Sequence, residues 1–295
     1  MKNYSVHEMP KMGDVSTDFE IDELSSITED RFEDFFAAPH AHAFYSVIWF
    51  RGGGGCHTVD FVKYPLEENT FFFISPGQIH CYDYPIPDGV VITFVPDFLS
   101  DSNSTEEIFM KYNIFNAYDM APCMVVRDEN LLRALDNLTH ALKVEYGRKE
   151  QFGHRTLMQS FVRQMLILLQ RNDSPDSRPS FLQSNNVHNH FLRFRQALER
   201  DYRRIHNVKG YAAELGVSTK YLTAIVGECT HRTPLQMIND RLLLEAKRLL
   251  RYSNMMVKEI AFDLGYEDPS YFVKQFKRQT GQLPTDFREM VSEIS

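Results

Sequence analysis

The chain has 295 residues, a hydrophobic share of 43% and a formal net charge of −8, which is length enough for two ordinary domains with separate cores. This composition excludes wholesale disorder, and no apolar run approaches the roughly 20 residues needed to cross a bilayer. The charge is unevenly divided. Residues 1–175 carry 14 Lys+Arg against 26 Asp+Glu and residues 176–295 carry 18 against 14, so balances of −12 and +4 sum to −8. Such asymmetry points to one half that meets phosphate and one that does not.

Residues 1–38 read as an acidic arm with a few aromatics, Phe32, Phe35 and Phe36, and without a signal-peptide pattern. Cys56, Cys81, Cys123 and Cys229 form no C-x-x-C pair, which suits a reducing compartment and supplies no zinc framework. The expected location is therefore cytoplasmic, with no membrane partner. Short aromatic and β-branched segments at 44–50, 56–62, 70–74, 80–84 and 90–95 are separated by Gly-, Pro- and acid-rich turns, predicting a small β-barrel or sandwich. The period then becomes helical over 129–146 and 154–170. In the second helix Met158, Phe161, Met165 and Leu168 repeat at 3-4-3 spacing, as in a coiled-coil seam. A simple core helix also fits that spacing. The helix is apolar over more than one face, so it is expected to pack on its own domain and on something further. The segment 171–180 (RNDSPDSRPS) reads as a linker, and the remainder is helical.

The C-terminal part repeats one plan. A short helix over 208–215, preceded by Asn207 as N-cap, is ended by Gly216, and Ser218 caps a second helix over 219–228. A helix over 257–264 is followed by Gly265, then by Asp268 as N-cap and Pro269 at the first position of a helix reaching Thr280. Ala212-x-x-x-Gly216 recurs as Ala261-x-x-x-Gly265, where the small Ala lets two helices approach and Gly supplies a left-handed turn. Between the units, Thr233 and Pro234 open a long helix to about 251, with Ile238, Leu242, Ala246 and Leu249 on its buried face. One αα-hairpin is a weak signal; two copies joined by a helix are far more specific.

At 100° per residue, Leu222, Ile225, Val226 and Cys229 share one side of the first repeat's second helix, with Lys220, Thr223, Ala224 and Gly227 opposite. In the second repeat Phe272, Val273, Phe276 and Thr280 form the buried side, and Ser270, Tyr271, Lys274, Lys277 and Arg278 the exposed one. Faces with small residues and cations, and no carboxylate except Glu228 at one end, suit entry into a DNA major groove.

The run from 207 to 288 resembles the DNA-binding domain of the AraC/XylS family of regulators. Its closing segment from Ala261 to Arg288 is close to that family's signature, and Gly281, Pro284 and Phe287 fit the G-x-x-P-x-x-[FY] ending. By this resemblance the base-facing positions are Lys220, Thr223 and Ala224 in the first helix and Pro269, Ser270 and Lys274 in the second. Ser218, Tyr221, Tyr271, Lys277 and Arg278 complete the DNA-binding set. Ala224 and Pro269 depart from the long polar side chains often found there. They offer apolar contact to a thymine methyl and no bidentate hydrogen bond, so reading at those points rests more on DNA shape.

The segment 39–80 resembles the cupin-like sensor domain of many such regulators: His40-x-His42 followed by Gly77-x-x-His80 is similar to the metal motifs of cupins. Three imidazoles in a barrel could hold Fe, Mn, Ni or Zn. Yet Ser46 stands where the first motif wants a carboxylate, and Tyr84 where the second wants Asn. No metal or other cofactor is therefore expected. Strand parity puts His40, His42, Phe44, Ser46, Ile48 and Phe50 on one face, inward by the cupin comparison, and His40, His42, Phe44, Ser46, Ile48 and His80 are the candidate effector-binding residues, with a plain structural role and no ligand as the alternative. An iron-bound cupin would be a dioxygenase or isomerase, an alternative opposed by the missing carboxylate and the duplicated helical unit. Gly52–Gly55 lacks the strand-to-helix context of a phosphate loop, and neither G-x-S-x-G nor H-E-x-x-H occurs.

The expectation is an α+β two-domain protein. Residues 1–170 would form a cupin-like β-barrel with two helices for effector binding and dimerisation, and 171–185 a linker. Residues 186–295 would form an all-α DNA-binding domain with two helix-turn-helix motifs joined by a long helix. The chain would be a non-enzymatic transcription regulator, by family habit an activator. Its partners would be double-stranded DNA, a small organic effector, RNA polymerase and a second copy docked through 129–170.

Overall fold

The computed structural model describes the chain except residues 1–4, 8, 10, 13–14, 17, 27–37, 84–85, 100–112, 116–120, 173–184, 231 and 294–295. The expected aromatic cluster Phe32, Phe35 and Phe36, Tyr84, and nearly all of the expected linker lie outside the described residues. Two compact units divide the chain, one spanning Ser5–Arg178 and the other Pro179–Ser295.

The first unit opens with β1 (Ser5–His7), β2 (Lys11–Met12), β3 (Val15–Ser16) and β4 (Phe19–Glu23). Then come β5 (His40–His42), β6 (Tyr45–Phe50), β7 (Cys56–Val59), β8 (Val62–Pro65), β9 (Thr70–Ile74), β10 (His80–Tyr82), β11 (Gly89–Phe94), α1 (Pro96–Leu99), β12 (Cys123–Val125), α2 (Glu129–Tyr146) and α3 (His154–Asn172). Of the two expected architectures, barrel or sandwich, the described residues show the sandwich, so the cupin-like barrel is not seen as a closed one. The strands form two five-stranded sheets, ordered β1-β5-β10-β7-β8 and β12-β9-β6-β11-β4, and among the described residues no ladder joins them. The reason lies in the connections: the bend at Ala43–Phe44 and the turn at Ser75–Ile79 each carry the chain from one sheet to the other. The sheets stack face to face over Ile48, Phe50, Val59, Phe72, Ile74 and Tyr82.

Three further expectations change. Segment 56–62 is two strands, because Asp60 takes a left-handed turn at φ 51 and its carboxylate accepts from the Ile79 N–H at 3.3 Å. Segment 44–50 starts one residue later, at Tyr45. The supposed arm contains β4, which pairs antiparallel with β11 over five residues. Burial pattern explains why α2 and α3 were readable. Their apolar stripes, Leu135 and Leu142 on one and Val162, Leu166 and Leu169 on the other, cover Tyr45, Val47, Trp49 and Phe71 on the second sheet's outer face. In the 3-4-3 seam, Met158 and Met165 are buried and Phe161 and Leu168 half-buried in this same core, so the seam is used within the unit. Val144 on α2 and Leu157 and Ile167 on α3 remain exposed.

The second unit is all helical: α4 (Asn185–Asp201), α5 (Val208–Glu214), α6 (Thr219–Thr230), α7 (Pro234–Tyr252), α8 (Val257–Asp263), α9 (Pro269–Thr280) and α10 (Pro284–Glu293). Thr233 and Gln236 form a reciprocal capping box with Pro234 at the first position of α7. That helix buries Ile238, Leu242, Ala246 and Leu249 as its spacing predicts. Among the described residues, no helix of either unit is long and apolar enough to cross a membrane.

Candidate functional site

Local signals place the two helix pairs. Asn207 accepts from the Gly210 N–H at 2.8 Å and opens α5; Gly216, at φ 67, turns the chain; Ser218 Oγ accepts from the Tyr221 N–H at 3.1 Å and opens α6. In the repeat, Gly265 turns at φ 81 and Asp268 accepts from the Ser270 N–H at 2.8 Å ahead of Pro269. The second turn is also closely packed. A Cβ on Gly265 would stand 1.7 Å from the Arg203 carbonyl oxygen, whereas one on Gly216 would meet nothing within 4 Å.

Leu222, Ile225 and Val226 on α6, and Phe272 and Phe276 on α9, are buried against their own unit. Lys220, Thr223 and Ala224 are exposed, as are Ser270, Tyr271, Lys274, Lys277 and Arg278; Pro269 is half-exposed. Thr223 donates its hydroxyl to the Thr219 carbonyl at 2.9 Å, leaving it acceptor capacity toward a ligand. Tyr221 is half-buried, with its hydroxyl 3.5 Å from His190 Nδ1 on α4 and its ring edge-on to that imidazole. Its tip thus faces the unit rather than the exposed stripe. Face counting missed Gln275, which is buried and donates to Asn239 on α7 at 2.8 Å, tying α9 to the linking helix.

The same unit holds an ion-pair network that runs from a buried centre at Arg241 and Glu245 to the surface at Arg203 and Asp263. Arg241 donates to Glu199 at 3.0 Å and to Glu245 at 3.1 Å; Arg203 donates to Glu245 at 3.0 Å and to Asp263 at 3.3 Å. Burial alone would raise the Glu245 carboxyl, but Arg241, Arg248 and Arg203 together hold it below the usual carboxylate range. The network fastens α4, α7 and α8, and so fixes the base on which α9 stands.

In the first unit the structure brings His40, His42 and His80 together, with His57, which the sequence motifs did not single out. All four are at most 4% exposed. The ladders put them on one face: His80 pairs with His40, and Tyr82 with His57. His57 Nε2 lies 3.0 Å from His80 Nδ1, and the His40 and His80 rings are 4.3 Å apart. His42 donates through Nδ1 to the Phe44 carbonyl at 2.7 Å, leaving Nε2 to accept from Ser46 Oγ at 3.3 Å. His40 likewise donates through Nδ1 to the Ala38 carbonyl at 3.1 Å. Phe44 sits in the bend between β5 and β6, its ring stacked on His42, while Ser46 and Ile48 on β6 are buried. Burial first, then His40 and His42, push the His57 imidazole well below its ordinary value. Alternation in 56–59, with His57 and Val59 on one parity, was the available signal for His57. Among the described residues, no group of three or more His, Cys, Asp or Glu is arranged to hold a metal ion.

Comparison with known proteins covers both units. Residues 211–290 match a family model described as a helix-turn-helix domain, and residues 25–166 match an AraC-like ligand binding domain. The HTH-type transcriptional activator RhaR of Salmonella schwarzengrund is 21% identical over 279 residues, covering 94% of this chain and 96% of that protein. The activator RhaS of Escherichia coli is 21% identical over 270 residues, covering 85% and 87%. Among solved structures, apo ToxT from Vibrio cholerae is similar at 12% identity and a TM-score of 0.38, covering 94% of this chain and 98% of that one. With a helix-turn-helix domain following a ligand-binding domain, the chain belongs to the AraC/XylS family of DNA-binding transcription regulators.

Proposed function

We propose that this regulator is an effector-controlled transcription activator that reads DNA through α6 and α9. The observation that carries the reading is the pair of exposed faces. Lys220, Thr223 and Ala224 lie on one, and Ser270, Lys274, Lys277 and Arg278 on the other, each backed by a buried apolar side. Lys220, Thr223, Ala224, Pro269, Ser270 and Lys274 face base edges. Lys277 and Arg278 reach phosphates, and Tyr271, 58% exposed, borders the second face. Ser218 and Tyr221 act at the start of α6, the first as its cap. The two helices read segments roughly 10 base pairs apart on one side of the duplex.

Residues 1–170 form the sensor and dimerisation domain, 171–185 the linker and 186–295 the DNA-binding domain. A small organic effector meets His40, His42, Phe44, Ser46, Ile48 and His80. The partner copy docks on α2 and α3, an assignment favoured by exposed Val144, Leu157 and Ile167. Activation is favoured because RhaR and RhaS are named activators, which implies contact with RNA polymerase. The role is regulatory rather than enzymatic, and the chain acts in the cytoplasm. Capture of genomic DNA fragments by the full chain at varied salt is the test. The reading expects a few promoters retained above background, with the logarithm of affinity falling linearly in log salt, and uniform retention of all fragments overturns sequence-specific reading.

A further inference from the structure

We propose that the four buried imidazoles His40, His42, His57 and His80 make the first unit proton-responsive: neutral, they allow the two sheets to close over them, and protonated, they force the sheets apart. This inference needs no effector, although His40, His42 and His80 are also among the effector contacts proposed above, and its test is made without one.

The argument begins with what surrounds His57, which is fully buried. From β10 it meets His80 and is stacked on Tyr82, with ring centroids 4.2 Å apart. From β5 the positive charges of His40 and His42 reach it, and both oppose its protonation. From β8, Tyr64 stands in register with it. Phe72 at 4.3 Å and Phe50 at 6.1 Å close the side belonging to the second sheet. On β1, His7 is in register with His42. The nearest acids along these strands are engaged elsewhere: Asp60 accepts from Ile79 N–H and Gln78, and Asp83 pairs with Lys63 at 2.8 Å. Among the described residues, no carboxylate is among the charges that act on His57.

Proton placement in this box is restrictive. One hydrogen serves the His57–His80 contact. If His57 donates it, a further proton on His57 must sit on Nδ1, which has no hydrogen-bond partner. If His80 donates it, the further proton faces another N–H across 3.0 Å. Either way the cation is buried among rings with no counter-charge from the described residues, a strongly unfavourable placement. Solvent relieves it once the sheets part.

The sign follows from linkage. A histidine whose folded value lies below its ordinary one binds its proton more readily in the open form. Closure is therefore at full strength above about pH 6.5 and weakens as pH falls from there toward the lowered folded value. Each proton accepted by the open form and refused by the closed one lowers the closed-to-open ratio about tenfold per pH unit across that window.

Trp49, the single tryptophan, lies buried under α2 and α3 on the outer face of the second sheet and reports on unfolding of this unit, in which the sheets part. Urea unfolding of the full chelator-treated chain, followed by Trp49 fluorescence between about pH 7.5 and 5.5, measures the ratio directly. The wild type is expected to lose about tenfold or more per pH unit, and His57→Phe, which keeps a ring against Tyr82 and Phe72, to lose about one proton's share of that slope. An unchanged slope in the variant, or a flat wild-type profile, overturns the proposal. Should His57→Phe not fold, imidazole NMR of the wild type decides. His57 is expected to stay neutral until the backbone amide signals of β7 and β10 change. Titration near its ordinary value with those signals unaltered overturns the proposal equally.

Discussion

Gly216 and Gly265 occupy the same place in the two helix pairs, yet substitution by alanine should affect them unequally. Both carry positive φ, 67 and 81, where an L side chain costs about 1–2 kcal/mol. At Gly216 that strain is the whole effect, because the added Cβ meets nothing within 4 Å. At Gly265 the Cβ would lie 1.7 Å from the Arg203 carbonyl oxygen and 2.9 Å from its carbon. Backbone cannot rotate away as a side chain can. The two segments must separate by more than 1 Å, pulling on the His206 hydrogen bond to the Leu264 carbonyl and on the Arg203 pairs to Glu245 and Asp263. Overpacking of this kind adds about 1–3 kcal/mol, giving about 2–5 kcal/mol for Gly265→Ala against about 1–2 for Gly216→Ala. Urea unfolding of the full chain by circular dichroism at 222 nm measures both, since the second unit is all helical. Trp49 fluorescence, which follows the first unit, should be unchanged. Equal losses for the two variants, or a loss under about 0.5 kcal/mol at Gly265, would refute the close-approach argument.

Within α9, Lys274 lies about 40° around the axis from Ser270, so Lys274→Ala should cost about 1–3 kcal/mol at the best genomic fragment and relax preference at one or two base pairs. Lys277→Ala should weaken all fragments alike and reduce the salt slope by about one, as read from filter binding across salt concentrations. Glu245→Gln removes the carboxylate that Arg241, Arg248 and Arg203 share, while Arg241 keeps Glu199, and should cost about 3 kcal/mol in the helical transition. Because the Glu245 carboxyl is held low, the wild-type contribution should be complete above the ordinary carboxylate range and lost as pH falls through its folded value, a slope missing from the variant. Ile167→Glu, on the exposed side of α3, should raise the monomer fraction in sedimentation equilibrium while leaving the Trp49 unfolding midpoint unchanged.

Much of the second unit was legible because helix signals are local. Asn207, Ser218, Thr233 with Pro234, and Asp268 with Pro269 mark helix starts within one turn of the groups they cap, and Gly216 and Gly265 mark the turns. Face counting found the exposed cations of α9, and it missed Gln275 because a polar residue is buried only when a partner, here Asn239, waits on another helix. The seam of α3 shows the same limit. Spacing declares an apolar stripe without saying what covers it, and the second sheet proved to cover Met158 and Met165.

By itself, then, the sequence determined the change from strands to helices along the chain, the duplicated helix pairs and which of their faces carry cations, because hydrogen bonds and side-chain directions in a helix are set within four residues. Sheet partners are chosen across the chain. Only the tertiary structure decided that β4 pairs with β11, that the strands make two stacked sheets where the pattern allowed barrel or sandwich, and that His57 joins His40, His42 and His80. Those outcomes rest on contacts tens of residues apart, where the cost of closing each loop is repaid by burial that no local pattern records.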